Sequence, residues 1–383
     1  MNTVSILRFL LAGNKTIFEV TKEEQCRFLD RLGDEGDNIS RSYKQYLGRN
    51  FFAPRWKVIF LNFISFFAFP FLLVSYLIKG NFSKPFIKKT ALSSMKGIEE
   101  VMPEELKCRY DIDYNSWILN GSLTIGDLSF ISKLYTRSFP SCYFALKALT
   151  KVAQYSELIR CHAPEAIIVA NEYSFSSSLL TEYCHHHHVL HIDVMHGEKL
   201  FNVRDSYFRF DQCYVWNEFY RELFVSLRAY PEQFKIHTPI SLVIDVNKYY
   251  RQDDYADYKY YLASFTEKEI QDIVLSMKVF KNRGKSVKYR LHPRYMGYEL
   301  ISKYVEPGEI ENPIEVPILT SVASCSTTVG SYSTVLSQAY HSGKKVILDD
   351  VTYKSQFDKL KDLDYWLSVV GCNKLSDYQK NGN

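Results

Sequence analysis

The sequence predicts an α/β chain: two units of parallel strands and helices facing across a cleft, preceded by a helical extension with one long apolar stretch. Three observations carry this. From about Ser138 onward, short continuous apolar runs alternate with helical stretches, the signature of strands covered by helices on both faces. A polar and charged interval, Ser241–Asp257, interrupts the alternation, which then starts afresh. The second half also holds two strand-to-loop junctions, Ser286–Tyr295 and Val329–Leu336. An α/β unit uses such junctions, at the carboxyl ends of its strands, to hold a nucleotide and its phosphate. The expected division is 1–90 for the extension, 91–245 for the first unit and 246–383 for the second.

The chain has 383 residues, enough for two domains with cores of their own. Hydrophobic residues make up 46% and aromatics 15%, so most of it should fold. A net charge of +4 is too weak for nucleic acid as a bulk partner. The eight cysteines are scattered without a CxxC, and Met1–Gly13 meets Asn14-Lys15 without a small-residue cleavage site. Both point to reduced thiols in a cytosolic compartment.

Residues 1–57 read as polar helices with a basic stretch from Arg41 to Lys57. Val58–Ile78 follows, 21 residues without a charge, bracketed by Lys57 and Lys79. That length can cross a bilayer. Pro70 near its middle, the diluting Asn62, Ser65 and Ser75, and cations on both sides (Arg49, Arg55, Lys57; Lys79, Lys84, Lys88, Lys89) favour a kinked hairpin dipping into one leaflet. A buried core helix and a true crossing are the alternatives. A turn-rich region runs to about Ser138. Then come a helix over Ser141–Arg160, a strand at Ala166–Ala170, a helix at Ser176–Tyr183 and a strand at Val189–Val194. Met195-His196-Gly197-Glu198 is the loop at that strand's end, before a strand at Gln212–Trp216 and a helix at Glu218–Leu227. The interval Ser241–Asp257 reads as an interdomain hinge. The second unit begins with a strand at Tyr258–Ala263 and a helix opened by the capping box Thr266/Glu269. Ile270, Ile273, Val274, Met277 and Phe280 give that helix one apolar face, and Gly284 stops it. Ser286–Leu291, Thr327–Gly330 and Lys345–Leu348 are strands, with a helix at Thr334–His341.

Chemistry concentrates at three strand ends. His292-Pro293 closes the first junction. Proline has no N–H to continue the ladder, which leaves the imidazole at the sheet edge to bond a phosphate or ribose, with Arg290 and Arg294 adding bidentate donors. The bland alternative is an ordinary strand exit. Ser331, Ser333 and Thr334 open a helix, where hydroxyls, N–H groups and the dipole favour an anion and Gly330 lets backbone approach; simple N-capping by Ser333 is the bland alternative. In the first unit, His196 has the intrinsic pKa of a base and Glu198 is its neighbouring carboxylate, with Gly197 permitting a sharp turn; the alternative is an incidental His beside a turn glycine. His185–His188 with His191 invites a metal. Four consecutive histidines cannot face one ion, and no carboxylate or Cys set completes a site, so a solvated turn and no metal are expected. Asp349-Asp350 and Asp253-Asp254 read as turns rather than a metal-binding acidic pair.

His-Pro followed by a Ser/Thr cluster resembles bacterial glycosyltransferases of the GT-B fold, especially the sialyltransferases of lipooligosaccharide and capsule and the related Kdo transferases. The resemblance implies two Rossmann-like domains, no cofactor, and a CMP-linked sugar gripped by His292, Pro293, Ser331, Ser333 and Thr334. Its acceptor is a surface polysaccharide or lipid-linked glycan, and its location is the cytoplasmic face of the bacterial inner membrane, at the membrane surface. The His196-Gly197 pair resembles the loop of CDP-glycerol-type polymer transferases, where the His is the proposed base. One departure stands out. The sialyltransferases carry an acidic pair before a glycine as base, and the literal match here, Asp34-Glu35-Gly36, follows helix-like sequence and reads as a turn ended by Gly36. His196 or Glu198 would have to replace it. Three functions follow: an inverting, metal-independent glycosyltransferase; a glycerol- or ribitol-phosphate transferase; and a non-catalytic nucleotide-binding scaffold.

Overall fold

The structure is a computed structural model. It describes residues 14–34, 36–80, 90–93, 98–114, 120–263, 265–293 and 297–380. Met1–Gly13, Glu35 of the acidic triplet, the basic Lys84, Lys88 and Lys89, and Arg294 with Tyr295 lie outside the described residues. The chain divides into two compact units: Met1–His196 with Phe201–His237, and Gly197–Leu200 with Thr238–Asn383. All eight cysteines are unbridged.

Unit 1 opens with α1 (Lys22–Leu32), started by a capping box between Thr21 and Glu24 and ended at Gly33, whose φ of 66° needs a glycine. The terminator is therefore Gly33, not Gly36. Asp37 instead starts α2 (Asn38–Asn50) by accepting from Ser40 N. Helix α2 is built into the unit. Arg41 donates through Nε to Tyr207 O, Ser42 Oγ accepts from Leu179 N, and Gln45 Nε2 donates to the carbonyls of Glu172 and Arg204.

The apolar segment forms α3 (Arg55–Gly80), one continuous helix with Pro70 inside it. The expected hairpin is absent, although Pro70 cannot donate a helical hydrogen bond. The helix is held on both sides of that position. Asn62 Oδ1 accepts from Tyr143 N, Phe69 stacks against Tyr135 with ring centroids 4.8 Å apart, and Tyr76 O accepts from Leu123 N.

The stretch read as turn-rich holds β1 (Ala91–Ser93), α4 (Glu104–Arg109), β2 (Ile112–Asp113) and α5 (Leu128–Ser138). Strands of three and two residues are too short to leave a readable period. The rest follows the expected order: α6 (Cys142–His162), β3 (Ala166–Val169), α7 (Ser177–His186), β4 (Leu190–Val194), β5 (Gln212–Val215) and α8 (Glu218–Ser226), and an unexpected three-residue strand, β6 (Phe234–Ile236), closes the unit. The sheet is six-stranded, β2-β1-β3-β4-β5-β6, with every pairing parallel. All four residues of β3 are buried, which is why it reads as an uninterrupted apolar run. The strand order reverses between β1 and β3, the position where doubly wound sheets open a crevice at their carboxyl edge.

Unit 2 contains β7 (Ala256–Tyr261), α9 (Glu267–Lys281), β8 (Val287–Arg290), β9 (Ile310–Glu311), α10 (Ile318–Ala323), β10 (Cys325–Gly330), α11 (Thr334–His341), β11 (Lys345–Leu348), α12 (Lys354–Asp362), β12 (Asn373–Lys374) and α13 (Leu375–Lys380). The interval read as a hinge is tied to this unit. Ile244 N donates to Ser342 Oγ, Gln338 Nε2 to Ser241 O, and Arg251 N to Ser324 Oγ. The sheet order β12-β11-β10-β7-β8-β9 is parallel throughout. Counted from the other edge it runs third, second, first, fourth, fifth, sixth, the dinucleotide-binding order. The predicted apolar face of α9 packs on Tyr260, Val287, Tyr289, Val329 and Ile347. Each such side chain contributes roughly 1.5–3 kcal/mol when fully buried.

Candidate functional site

The site in unit 2 follows from strand order. In this sheet β7 lies between β8 and β10, and the order reverses between β7 and β10. The register places Tyr261 level with Arg290, and Gly330 level with Leu348. The crevice of such a sheet opens at the reversal, beyond the carboxyl ends of the two strands. The helices that leave these strands begin there. Helix α9 starts with the reciprocal Thr266/Glu269 box: Thr266 N donates to Glu269 Oε2 at 2.6 Å, and Glu269 N to Thr266 Oγ1 at 3.4 Å. Helix α11 starts at Ser333, whose Oγ accepts from Val335 N at 3.3 Å. Ser331 and Ser333 are half-buried and Thr334 is exposed. Capping takes one hydroxyl of the three, and both helix starts add dipole and N–H groups on either side of the reversal. A Cβ at Gly330 would meet Tyr261 O at 3.5 Å, an ordinary contact, so the fold itself does not require glycine there.

His292, half-buried, and Pro293, exposed, follow β8 on the same carboxyl edge. They are separated from the Ser331 turn by β7, so by two strand spacings, roughly 10 Å. The sequence reading paired these two junctions directly. It read Thr266 only as a cap, although the exit of β7 is one wall of the crevice.

Arg290 is not a free anion ligand. It is buried, and Nη1 donates to Glu311 Oε1 at 2.6 Å and to Val316 O at 2.8 Å. Lys259, fully buried, donates to the other oxygen of Glu311 at 2.5 Å and to Ser321 O at 3.1 Å. Burial lowers the Lys259 pKa, and its two cationic neighbours hold Glu311 below the usual carboxylate range against the opposing effect of burial. This network braces the sheet beneath the edge; Arg290 is its arm. No local pattern marks Glu311, because its strand has only two residues.

In unit 1, the loop after β4 is held at its root. Asp193, fully buried, accepts from Asn171 N at 2.7 Å, Met195 N donates to Tyr214 O, and Trp216 Nε1 donates to Met195 O at 3.0 Å. His196 is then exposed. Glu198, in the stretch Gly197–Leu200 that groups with unit 2, is partly exposed as a residue, but both carboxylate oxygens are shut off from water and have no hydrogen-bond partner among the described residues. Burial pushes its pKa up to about 8. Gly197 has open space where a Cβ would go and no left-handed φ, so the turn does not depend on glycine.

The loop after β3, at this sheet's own reversal, borders a cavity of about 340 Å³ lined by Lys151, Gln154, Asn171, Tyr173, Ser174 and His191 among others. His191 is locked at both ring nitrogens, by Tyr155 Oη at 3.0 Å and Thr181 Oγ1 at 2.8 Å, and burial lowers its pKa to about 3, so it stays neutral. The neighbouring tract ends α7. His185 meets Asp211 at 2.5 Å, His187 lies 4.0 Å from Asp127, and His188 has the left-handed φ of 57° that ends the turn. Among the described residues, no group of three or more His, Cys, Asp or Glu is arranged to hold a metal ion. Asp349 and Asp350 are turn residues: Asp349 Oδ1 accepts from Val351 N and Thr352 N, and Asp350 binds Ser376.

No family model matches the chain, and no curated protein matches it. Solved structures with a similar chain path include a UDP-GlcNAc 2-epimerase from Methanocaldococcus jannaschii in complex with UDP-GlcNAc and UDP. It is 11% identical with a TM-score of 0.43, covering 76% of this chain and 88% of that one. The lipopolysaccharide outer core galactosyltransferase WaaB is 11% identical with a TM-score of 0.37, over 69% and 80%. The wall teichoic acid polymerase TagF is 10% identical with a TM-score of 0.37, over 79% and 89%.

Proposed function

We propose that this chain is a nucleotide-sugar-dependent, inverting glycosyltransferase of the GT-B type, with its donor held at the carboxyl edge of unit 2. The observation that carries the reading is the reversal between β7 and β10, flanked by the capped starts of α9 and α11. The N-terminus of α11 and the hydroxyls of Ser331, Ser333 and Thr334 form an anion-receiving edge, whereas the start of α9 already carries its own carboxylates, Glu267 and Glu269. His292 adds a ring donor one strand away. The His-Pro and Ser/Thr pair favours a CMP-linked donor carrying sialic acid or a Kdo-like sugar, and a glycan or lipid-linked glycan as acceptor, at the cytoplasmic face of a bacterial inner membrane.

His196 is the base. A carboxyl with its pKa near 8 is mostly protonated at neutral pH, so Glu198 is a poor proton acceptor there, whereas His196 is exposed to solvent just past the end of β4. The acceptor hydroxyl gives its proton to His196 and its oxygen bonds to the anomeric carbon. The bond from that carbon to the phosphate oxygen breaks, and the electron pair leaves on the phosphate, where the start of α11 and His292 stabilise it. The sequence resemblance of His196-Gly197 keeps polyol-phosphate transfer from a CDP donor as a second reading.

A thermal-shift panel with CMP, CDP, UDP and GDP tests the donor. CMP should raise the melting temperature most. Incubation with CMP-sialic acid, CMP-Kdo, CDP-glycerol and UDP-sugars, read by mass spectrometry, then separates sugar transfer from polyol-phosphate transfer. Stabilisation by none of the nucleotides overturns the transferase reading and leaves a scaffold.

A further inference from the structure

Helix α3 is inside out. Its polar and small residues face the protein: Ser65 is buried, and Asn62 accepts from Tyr143 N and donates to Val58 O. Its large apolar residues face outward. Ile59, Phe63, Phe66, Phe67, Phe71 and Ile78 are each at least half exposed, with Phe71 at 77%. A soluble surface helix turns its apolar stripe the other way, and an apolar patch of this size marks an interaction face. Phe139 extends the patch beyond Tyr135, which stacks on Phe69, and Ile125 extends it beyond Leu123, which bonds Tyr76; both are strongly exposed.

We infer that this face inserts into one leaflet of a bilayer with α3 lying in the membrane plane, and that unit 1 carries a monotopic membrane-docking surface. A crossing helix of 26 residues would be long enough, at roughly 39 Å. Here, though, α3 is bonded to unit 1 at Asn62, Phe69 and Tyr76, and packs along α6. To cross, it would have to take exposed Lys147 and Lys151 of α6 and Lys133 and Arg137 of α5 into hydrocarbon, or detach from them. Lying in the plane needs only the outward face.

Charge selects the occupant. The segment Arg55–Gly80 carries cations near both ends, with Arg55 and Lys79 exposed, and no acidic residue. Two copies pairing through this face would set cation against cation whether parallel or antiparallel. An anionic lipid surface complements both ends at once. Exposed Trp56, one residue from Arg55, sits where interfacial aromatics sit. The inference stands without the donor reading, and failure of the one leaves the other intact.

The test is flotation of the full chain with vesicles of phosphatidylcholine alone or with phosphatidylglycerol. Binding should rise with the anionic lipid and fall with salt. The triple variant Phe63→Ser/Phe67→Ser/Phe71→Ser should bind at least tenfold more weakly, with an unchanged circular dichroism spectrum and CMP melting shift. If the triple variant does not fold, Arg55→Gln/Lys79→Gln serves instead, and should lose the preference for anionic lipid. Arg55→Cys and Lys79→Cys should each add one membrane-impermeant maleimide label, relative to the parent, with vesicles present. Protection of one end only would mean a crossing and overturn the in-plane geometry. Failure to float, with or without dimers in sedimentation, overturns the lipid partner, and dimers would name a second copy as the occupant.

Discussion

The two sheets are alike in size and direction but carry opposite chemistry at their carboxyl edges. Unit 2 offers donors: the first turn of α11 and the hydroxyls around Ser331. Beneath them, two cations share Glu311. Unit 1 follows β4 with the exposed His196, the buried Asp193 fixing the neighbouring loop, and Glu198 comes next in the stretch Gly197–Leu200 that groups with unit 2. Under the proposed transfer, the edge of unit 2 would receive the negative charge and His196 the proton. A group transfer that releases a phosphate needs both kinds of group. The comparison is sharpened or broken by substitutions that remove one side while leaving the other.

The largest effect is expected from unit 1. His196→Ala should lower kcat by roughly 10²–10⁴, the usual contribution of a positioned base. The melting shift produced by CMP should stay as in the parent, because nothing in unit 2 has changed. Full transfer activity in this variant would move the base elsewhere and end the division between the two edges. In unit 2, Glu311→Ala should destabilise by about 3–5 kcal/mol in urea unfolding, since it leaves Lys259 and Arg290 buried without their anion. Arg290→Ala should likewise cost stability before it costs nucleotide affinity. A stable Arg290→Ala protein that no longer binds CMP would return Arg290 to the donor site.

Glu198 gives a pH-dependent effect of intermediate size. Its pKa in the folded chain is raised from the usual 4.5 to about 8 by burial. Below 4.5 the carboxyl is protonated both folded and unfolded, so it contributes no pH dependence there. As pH rises from there to about 8, the unfolded chain ionises while the folded one resists, and stability is lost progressively. Glu198→Gln removes that slope. The variant should match the parent near pH 4.5 and exceed it by roughly 2–4 kcal/mol above pH 8, allowing for the residue's partial exposure. Parallel melting curves for the two proteins across that window would put the proton elsewhere.

Much of this fold was legible because its strands are buried on both faces. Ala166–Val169 read as an apolar run, Lys345–Leu348 as a strand through its buried Val346, Ile347 and Leu348, and α9 announced itself through a capping box and five apolar residues at helical spacing. The strands that escaped notice, β1, β2, β6, β9 and β12, have two or three residues each, too few for any periodicity. The helix through Pro70 escaped for a different reason: local rules see the missing N–H but not the side-chain bonds from unit 1 that hold both halves in line. At the site, residue types were legible and partners were not. Arg290 beside a His-Pro suggests an anion ligand until the register brings Glu311 level with it on the next strand. The place of β7 between β8 and β10 is likewise a fact of strand order, which no spacing along the chain encodes.

The smallest expected effect separates capping from binding at α11. Ser333 already caps this helix through Val335 N, whereas Ser331 makes no contact of that kind among those described. Ser333→Ala should therefore cost about 1 kcal/mol of stability as the first turn frays. Ser333→Asp, which caps as well, should restore the stability but place a carboxylate where the donor phosphate is expected, so CMP should lose its melting shift. Ser331→Ala should leave stability near the parent value and weaken CMP by roughly tenfold, the loss of one hydrogen bond to a charged group at about 1.5 kcal/mol. If Ser331→Ala and Ser333→Asp both bind CMP as the parent does, the helix start is only a cap, and the anion-receiving edge has to be sought on the β7 side, at Thr266.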